Sequence, residues 1–152
     1  VIGAGSSGPD TRWGEKNFIS LINKLNENGK YFFYIQCGPE QNEISKNIIA
    51  NINKPNCMDL SNMNIKQIIP ILYLCDMYVG NDSFSHHVTS QCNKPSIVLL
   101  LNTPKTYSDY SANHHRIIPD NAKIEDLDHT SRYEANLISV EKVFNKIINL
   151  KN

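Results

Sequence analysis

Apolar positions along the chain alternate between short continuous runs, typical of buried strands, and helical spacing, typical of amphipathic helices. The runs predict strands at 1–2, 31–37, 57–60, 77–79, 96–101 and 115–118. The spacing predicts helices at 15–28, 44–52, 65–74, 83–92 and 139–150, with Pro70 interrupting the third. This alternation favours an α/β fold, a Rossmann-like, doubly wound and mostly parallel sheet that binds ligand beyond the carboxyl ends of its strands.

Length and charge narrow the class of protein. The 152 residues are enough for one ordinary domain, so we expect residues 1–152 to form a single unit. Because the chain begins at Val1 within a predicted strand, we expect it to be part of a longer polypeptide. The 15 basic and 15 acidic side chains balance, which argues against nucleic acid as a partner.

The cysteines and the hydropathy indicate the compartment. The four cysteines form no C-x-x-C pair and follow no secretory signal, so we expect reduced thiols in a cytoplasmic protein. No apolar run approaches the roughly 18 residues that a membrane-spanning helix needs. We therefore expect a soluble protein, although it can still contact a membrane surface.

The most informative segment is the turn at residues 80–87, Gly-Asn-Asp-Ser-Phe-Ser-His-His, which follows a predicted strand and opens a predicted helix. Free backbone N–H groups and the helix dipole make such a turn an anion site, with Asp82 or Ser83 as the N-cap. His87 lies five residues after Asp82, so its ring can face the same anion. His86 lies about 100° further round the helix, so we expect it to point elsewhere.

A second glycine-rich segment, residues 3–8, has the G-x-G-x-x-G spacing of a dinucleotide fingerprint. It departs from the fingerprint because residues 9–14 separate the last glycine from the helix, and because the second strand ends without an acid. An NAD-type Rossmann domain therefore remains an alternative. The loop also offers the hydroxyls of Ser6 and Ser7 and the nearby cation of Arg12, which suit phosphate oxygens.

Other chemistries have little support in the sequence. The histidine pairs at 86–87 and 114–115 are adjacent residues and poor chelates, and without C-x-x-C or H-x-x-x-H spacing we expect no metal. There is no G-x-S-x-G elbow, which argues against a serine hydrolase.

Taken in order, these turns resemble glycosyltransferase family 9, the bacterial heptosyltransferases that use ADP-heptose to build the lipopolysaccharide inner core. Ser6 and Ser7 stand in the place of the hydroxyl pair that touches the donor phosphate, and Arg12-Trp13 keeps the family's Arg-Trp step. The segment 37–40, Cys-Gly-Pro-Glu, matches the family's Gly-Gly-Pro turn, and the segment 81–87 matches its Asn-Asp-Ser/Thr-Gly-x-x-His turn. The resemblance runs from residue 1 to about residue 110.

The resemblance implies that the chain is one half of a GT-B glycosyltransferase, the half that binds the donor. It implies inverting, metal-independent sugar transfer without a cofactor, the donor being ADP-heptose or another nucleotide sugar. It implies contacts to the donor diphosphate from Ser6, Ser7, Arg12, Asp82, Ser83, Phe84 and His87. It implies contacts to the nucleoside from Asn42, Glu43 and Met63.

The missing amino-terminal domain would supply the general base, so no catalytic residue is expected in this segment. That domain would also bind the acceptor, a lipopolysaccharide core or another surface glycan, at the inner face of the inner membrane. Thr11 replaces the usual lysine and Phe84 replaces a glycine of the family pattern. A degenerate module that binds sugar nucleotides without catalysis is therefore the second alternative.

Overall fold

Six parallel strands form one sheet in the computed structural model, which describes residues 1–54 and 56–151. They are β1 (Ile2–Gly3), β2 (Phe33–Gln36), β3 (Cys57–Asp59), β4 (Tyr78–Asn81), β5 (Ser96–Leu99) and β6 (His114–Ile117). Their order in the sheet is β3-β2-β1-β4-β5-β6. The order reverses between β1 and β4, the point where doubly wound sheets open a crevice for ligand.

Five α-helices connect or follow these strands. They are α1 (Glu15–Asn28), α2 (Asn42–Asn51), α3 (Ile65–Leu74), α4 (Phe84–Gln91) and α5 (Val140–Lys151). Helix α1 packs against α2 and α5, whereas α3 packs against α4, as expected for two helical layers. The predicted fold class is confirmed, and each predicted element is present within a few residues of its expected place. No helix in the described ranges is long and apolar enough to cross a membrane.

Helix α3 continues through Pro70, so the prediction that this proline interrupts the helix was wrong. A capping box begins the helix: Asn64 Oδ1 accepts the Gln67 N–H at 3.2 Å, and Gln67 Oε1 accepts the Asn64 N–H at 3.0 Å. Pro70 removes only the bond to the carbonyl of Lys66. Because both residues are exposed, water can satisfy that carbonyl.

The four cysteines are free throughout the described residues, in agreement with the expectation of reduced thiols. They are Cys37, Cys57, Cys75 and Cys92. Burial raises the pKa of Cys37 to about 12, so this thiol stays protonated and packs as a small apolar side chain.

A buried asparagine joins the two sides of the switch point. The Asn81 Nδ2 amide donates to the carbonyl of Ala4 at 2.8 Å, and its Oδ1 accepts the backbone N–H of Trp13 at 2.9 Å. The indole of Trp13 is fully buried, stands edge-on to Phe18 and donates to the carbonyl of Ile138 at 2.7 Å. One side chain thus holds the loop after β1, the start of α1 and the end of β4 together.

Two glycines let the central strands approach each other. A Cβ at Gly80 would overlap the backbone of Gly3, and a Cβ at Gly3 would overlap the ring of Tyr78. The Tyr78 hydroxyl donates to the carbonyl of Asn81 at 2.7 Å and lies 3.0 Å from the Ser83 hydroxyl. The Tyr78 side chain therefore fixes the turn at the end of β4 through its hydroxyl group.

We expect Asn81→Ala to lower the free energy of unfolding by about 3 kcal/mol, because it leaves the Trp13 N–H and the Ala4 carbonyl buried without partners. Urea unfolding followed by circular dichroism measures this change. Asn136→Ala, at an exposed position, is the matched control and should unfold like the parent. An Asn81→Ala variant as stable as this control would show that the bridge contributes nothing.

Candidate functional site

A cavity of about 220 Å³ lies at the carboxyl ends of the central strands. Its walls are Ser7, Gly8, Asp10, Thr11, Asp82, Asn102, Thr103, Tyr107 and His129. Ser7 follows β1, Asp82 follows β4 and Asn102 follows β5. The cavity therefore sits at the switch point, where the fold predicts a ligand.

The two serines of the first loop have different roles in the structure. Ser6 is buried, and its hydroxyl donates to the carbonyl of Gly8 at 2.9 Å and lies 2.7 Å from the hydroxyl of Thr11. Thr11 donates to the same carbonyl at 2.9 Å. Ser7 is exposed and faces the cavity. Of the predicted hydroxyl pair, Ser7 is thus available to a ligand, whereas Ser6 shapes the loop.

The turn after β2 clamps this loop. The amide of Gln41 donates to the carbonyl of Ser6 at 2.7 Å, and its oxygen accepts the N–H of Ser6 at 3.2 Å. Gly5 packs so closely here that a Cβ would collide with Gln41 and crowd the backbone of Cys37 and Gly38. The loop after β1 and the turn after β2 therefore form one connected surface.

Arg12 lies in a neighbouring depression of about 330 Å³ rather than beside Ser7 and Asp82. That depression is bounded by Pro9, Asp10, Arg12, Asn102, Arg132, Tyr133, Glu134 and Ala135. The Arg12 guanidinium donates to the carbonyl of Ser6 at 3.3 Å. Arg132 lines the same depression, so two cations flank one side of the cavity.

Asp82 faces two histidines of helix α4. Its Oδ1 lies 2.5 Å from Nε2 of His86 and 3.5 Å from Nε2 of His87. The expectation that His86 points elsewhere was wrong, because a residue four positions along a helix lies one turn above and on the same face. His86 is fully buried, whereas the His87 side chain is 39% exposed and contacts the hydroxyl of Tyr110 through Nδ1.

Desolvation disfavours the charged form of two histidines in this cluster, His87 and His114. Desolvation, together with the neighbouring His86, lowers the pKa of His87 to about 4. Desolvation also lowers the pKa of His114, whose Nδ1 lies 3.0 Å from the carbonyl of Ser108. At pH 7 the His87 ring is thus neutral, and it can meet an anion only as an N–H donor.

Helix α4 begins at Phe84, two residues after Asp82. Ser83 is its N-cap by backbone position, and the Ser83 hydroxyl is engaged with Tyr78. Phe84 is the first helical residue, and 42% of it is exposed at the mouth of the turn. The His86 N–H donates to the carbonyl of Ser83 at 3.2 Å, so in this first turn the N–H groups of Phe84 and Ser85 are the ones that can bind an anion beside this ring.

The residues predicted to meet a nucleoside lie further along the same sheet edge. Glu43 is in the first turn of α2 and forms an exposed ion pair with Lys46 at 2.7 Å. Asn42 begins this helix, and Met63 lies half-buried in the turn after β3, where its N–H donates to the carbonyl of Leu60 at 3.0 Å. These three residues are outside the walls of the 220 Å³ cavity, and their role stays a prediction.

The loop after β5 contributes site residues that the sequence pattern did not indicate. Asn102 is buried, its amide donates to the carbonyl of Asp10 at 2.7 Å, and its oxygen accepts the N–H of Tyr133 at 2.8 Å. Tyr107 and His129 close the cavity, with the Tyr107 hydroxyl 3.1 Å from Nε2 of His129. The available signal was the position of Asn102 just after the most apolar predicted strand.

Neither the segment between β1 and α1 nor the end of β2 has the features of a dinucleotide fingerprint. Strand β2 ends at Gln36 and is followed by Cys37, so no acid stands at the position that holds a ribose. After Gly8 comes a single 3₁₀ turn, Pro9–Thr11, and α1 begins only at Glu15.

Comparisons with known proteins agree on the fold. E. coli ADP-heptose lipopolysaccharide heptosyltransferase II superposes with a TM-score of 0.80 at 20% identity over 98% of this chain, and a family 9 glycosyltransferase from Veillonella parvula with 0.80 at 19% over 99%. E. coli heptosyltransferase WaaC, solved with ADP, gives 0.77 at 18% over 99%. The chain spans 45%, 46% and 43% of these proteins, so its fold is that of about half a GT-B enzyme. The comparison with curated proteins gave no match.

The sequence itself carries the family signature over most of its length. Residues 1–136 match glycosyltransferase family 9 (heptosyltransferase), which includes every turn around the cavity. The chain belongs to glycosyltransferase family 9.

Proposed function

We propose that this chain is the donor-binding half of an inverting glycosyltransferase that takes heptose from a nucleotide diphosphate sugar. One observation carries the proposal: Ser7 and Asp82, which lies two residues before the first residue of α4, line one cavity at the switch point. Two of the similar solved structures are described with ADP or an ADP-heptose analogue, which supports a nucleotide sugar as the ligand.

The first turn of α4 suits the donor diphosphate. Its N–H groups and helix dipole favour negative charge, and the Ser7 hydroxyl adds a neutral donor. Asp82 contributes by fixing this turn, because its carboxylate is engaged by His86 and His87. Arg12 and Ser6 contribute to diphosphate binding from the loop after β1. Ser83 and Phe84 contribute the backbone groups at the start of α4. We assign the diphosphate to this surface.

The nucleoside would extend from the cavity toward α2. Gln41 joins the loop after β1 to the turn after β2, so Glu43 and Asn42 continue the same surface. Met63 adds an apolar, half-buried side chain in the turn after β3. A base packed on Met63 with its ribose near Glu43 completes the proposed donor pose.

The proposed chemistry develops negative charge on the departing diphosphate. Helix N–H groups that are already oriented stabilise this charge without reorganising, and therefore without a metal at the diphosphate. The general base and the acceptor, a lipopolysaccharide core or another surface glycan, are assigned to an amino-terminal domain outside residues 1–152. We propose a cytoplasmic enzyme that contacts the inner face of the inner membrane, and expect this segment alone to bind donor without turnover.

The second candidate is a module that binds sugar nucleotides without catalysis. It is favoured by Thr11, whose hydroxyl closes the loop instead of supplying charge, and by the Phe84 ring at the mouth. A complete polypeptide that includes this chain, given ADP-heptose and an acceptor, distinguishes the two by release of ADP.

We expect the 152-residue chain to bind ADP and ADP-heptose more tightly than UDP or GDP in calorimetric titrations, with EDTA present. Asp82→Ala and Ser7→Ala should each weaken ADP binding by about tenfold, because the first frees the turn and the second removes a donor. Asp76→Ala and Ser20→Ala are matched controls away from the cavity and should bind like the parent. Failure of all nucleotides to bind, or parental affinity in Asp82→Ala, would refute the assignment.

Phe84→Ala should strengthen ADP binding by about fivefold, because it removes a ring from the approach to the helix N-terminus and keeps the backbone N–H. Phe32→Ala is the control: it removes another exposed ring, which lies just before β2 at the amino-terminal ends of the strands, away from the cavity. This variant should bind ADP with the parental affinity. Weaker ADP binding in Phe84→Ala would mean that the ring contacts the ligand instead of narrowing the pocket.

A further inference from the structure

Three histidines from two separate segments meet beside Asp82. His86 and His87 lie on α4, and His114 is the first residue of β6. The ring centroids of His86 and His87 are 3.7 Å apart, and those of His86 and His114 are 5.1 Å apart. One ring nitrogen from each residue lies within 4.8 Å of the other two.

Hydrogen bonds fix which nitrogen of each buried ring carries the proton. Nε2 of His86 lies 2.5 Å from the Asp82 carboxylate, and Nδ1 of His114 lies 3.0 Å from the Ser108 carbonyl. Both partners can only accept, so these nitrogens hold protons, and His86 Nδ1 and His114 Nε2 are the nitrogens that can offer a lone pair to a ligand. Within residues 1–54 and 56–151, both nitrogens are buried and have no hydrogen-bond partner.

Metal-binding histidines have this arrangement. Such a ring donates its second N–H to a carboxylate or a backbone carbonyl, which orients the ring and directs the other nitrogen at the metal. Asp82 and Ser108 supply these two acceptors here. Buried imidazole nitrogens without a proton donor cost free energy, and a cation would remove that cost.

We propose that His86, His87 and His114 bind one zinc-class divalent cation beside the start of α4. Three imidazoles with a fourth position open to solvent form a common zinc site, and imidazole also suits Ni²⁺ and Cu²⁺. Zinc-to-nitrogen distances near 2 Å separate the ligand nitrogens by about 3.3 Å, so nitrogens that now lie up to 4.8 Å apart must move closer by up to about 1.5 Å. His87 can make much of this movement because its side chain is 39% exposed.

This site does not depend on the proposed transferase function. Zinc titration without nucleotide tests the cation site, and nucleotide titration in EDTA tests the donor site. Either can fail while the other succeeds.

The test is titration of the EDTA-treated 152-residue chain with ZnCl₂, with the bound metal quantified after equilibrium dialysis. We expect one zinc per chain, no binding of Mg²⁺, which prefers oxygen ligands, and an absorption spectrum of four-coordinate Co²⁺ when cobalt replaces zinc. His87→Gln and His114→Gln should each weaken zinc binding by at least about tenfold.

His115→Gln and His129→Gln alter the two histidines outside the cluster and should leave zinc affinity at the parental value. Circular dichroism checks folding, and the partly exposed His87 provides a variant that should keep the fold if His114→Gln does not. The proposal is overturned if no zinc binds, if His87→Gln binds zinc like the parent, or if the loss follows His115 or His129 instead.

Discussion

The two hydrogen bonds of the Asn81 amide determine how this site is assembled. Strand β1 has only two residues, so its few ladder bonds cannot by themselves fix the loop that follows. Asn81 supplies the missing constraint by donating to Ala4 and accepting from Trp13. The amide suits this place because it offers a donor and an acceptor at once, whereas a carboxylate could satisfy only one of the two groups.

This constraint brings together two turns that are far apart in sequence. Gly80 lets β4 approach β1 so closely that the carboxyl ends of both strands open into the same space. Asp82 directly follows Asn81, and its carboxylate contacts the two histidines that lie about one helical turn further along the chain. The backbone N–H groups of Phe84 and Ser85 at the start of α4 remain available for a ligand because the two histidine side chains, and not these groups, contact the Asp82 carboxylate.

Local spacing explains why the fold was predictable and part of the site was not. The alternation of strands and helices is encoded within each segment, so α1, β5 and the others could be located from residue spacing. Proximity of Ser7 and Asp82 followed from strand ends in a parallel sheet. The burial of Ser6 and the direction of Arg12 depend on hydrogen bonds inside one loop, which spacing does not encode. His114 reaches α4 only through the pairing of β6 with β5, a long-range contact.

The loop around Thr11, where the resemblance implies a lysine in the family pattern, is closed by neutral hydroxyl groups. The hydroxyls of Thr11 and Ser6 lie 2.7 Å apart and each lies 2.9 Å from the Gly8 carbonyl, so hydrogen bonding among these three groups makes the loop rigid. Two positive charges, those of Arg12 and Arg132, lie in the adjacent depression, which Asn102 also lines. Under the proposed function, these guanidinium groups act on the diphosphate from the side, and the α4 N-terminus provides the direct contacts. The positive charges for the diphosphate thus lie in the depression and the hydrogen-bond donors lie at the α4 N-terminus. The Asn102 amide borders both the depression and the cavity, and its bonds to Asp10 and Tyr133 hold their walls together.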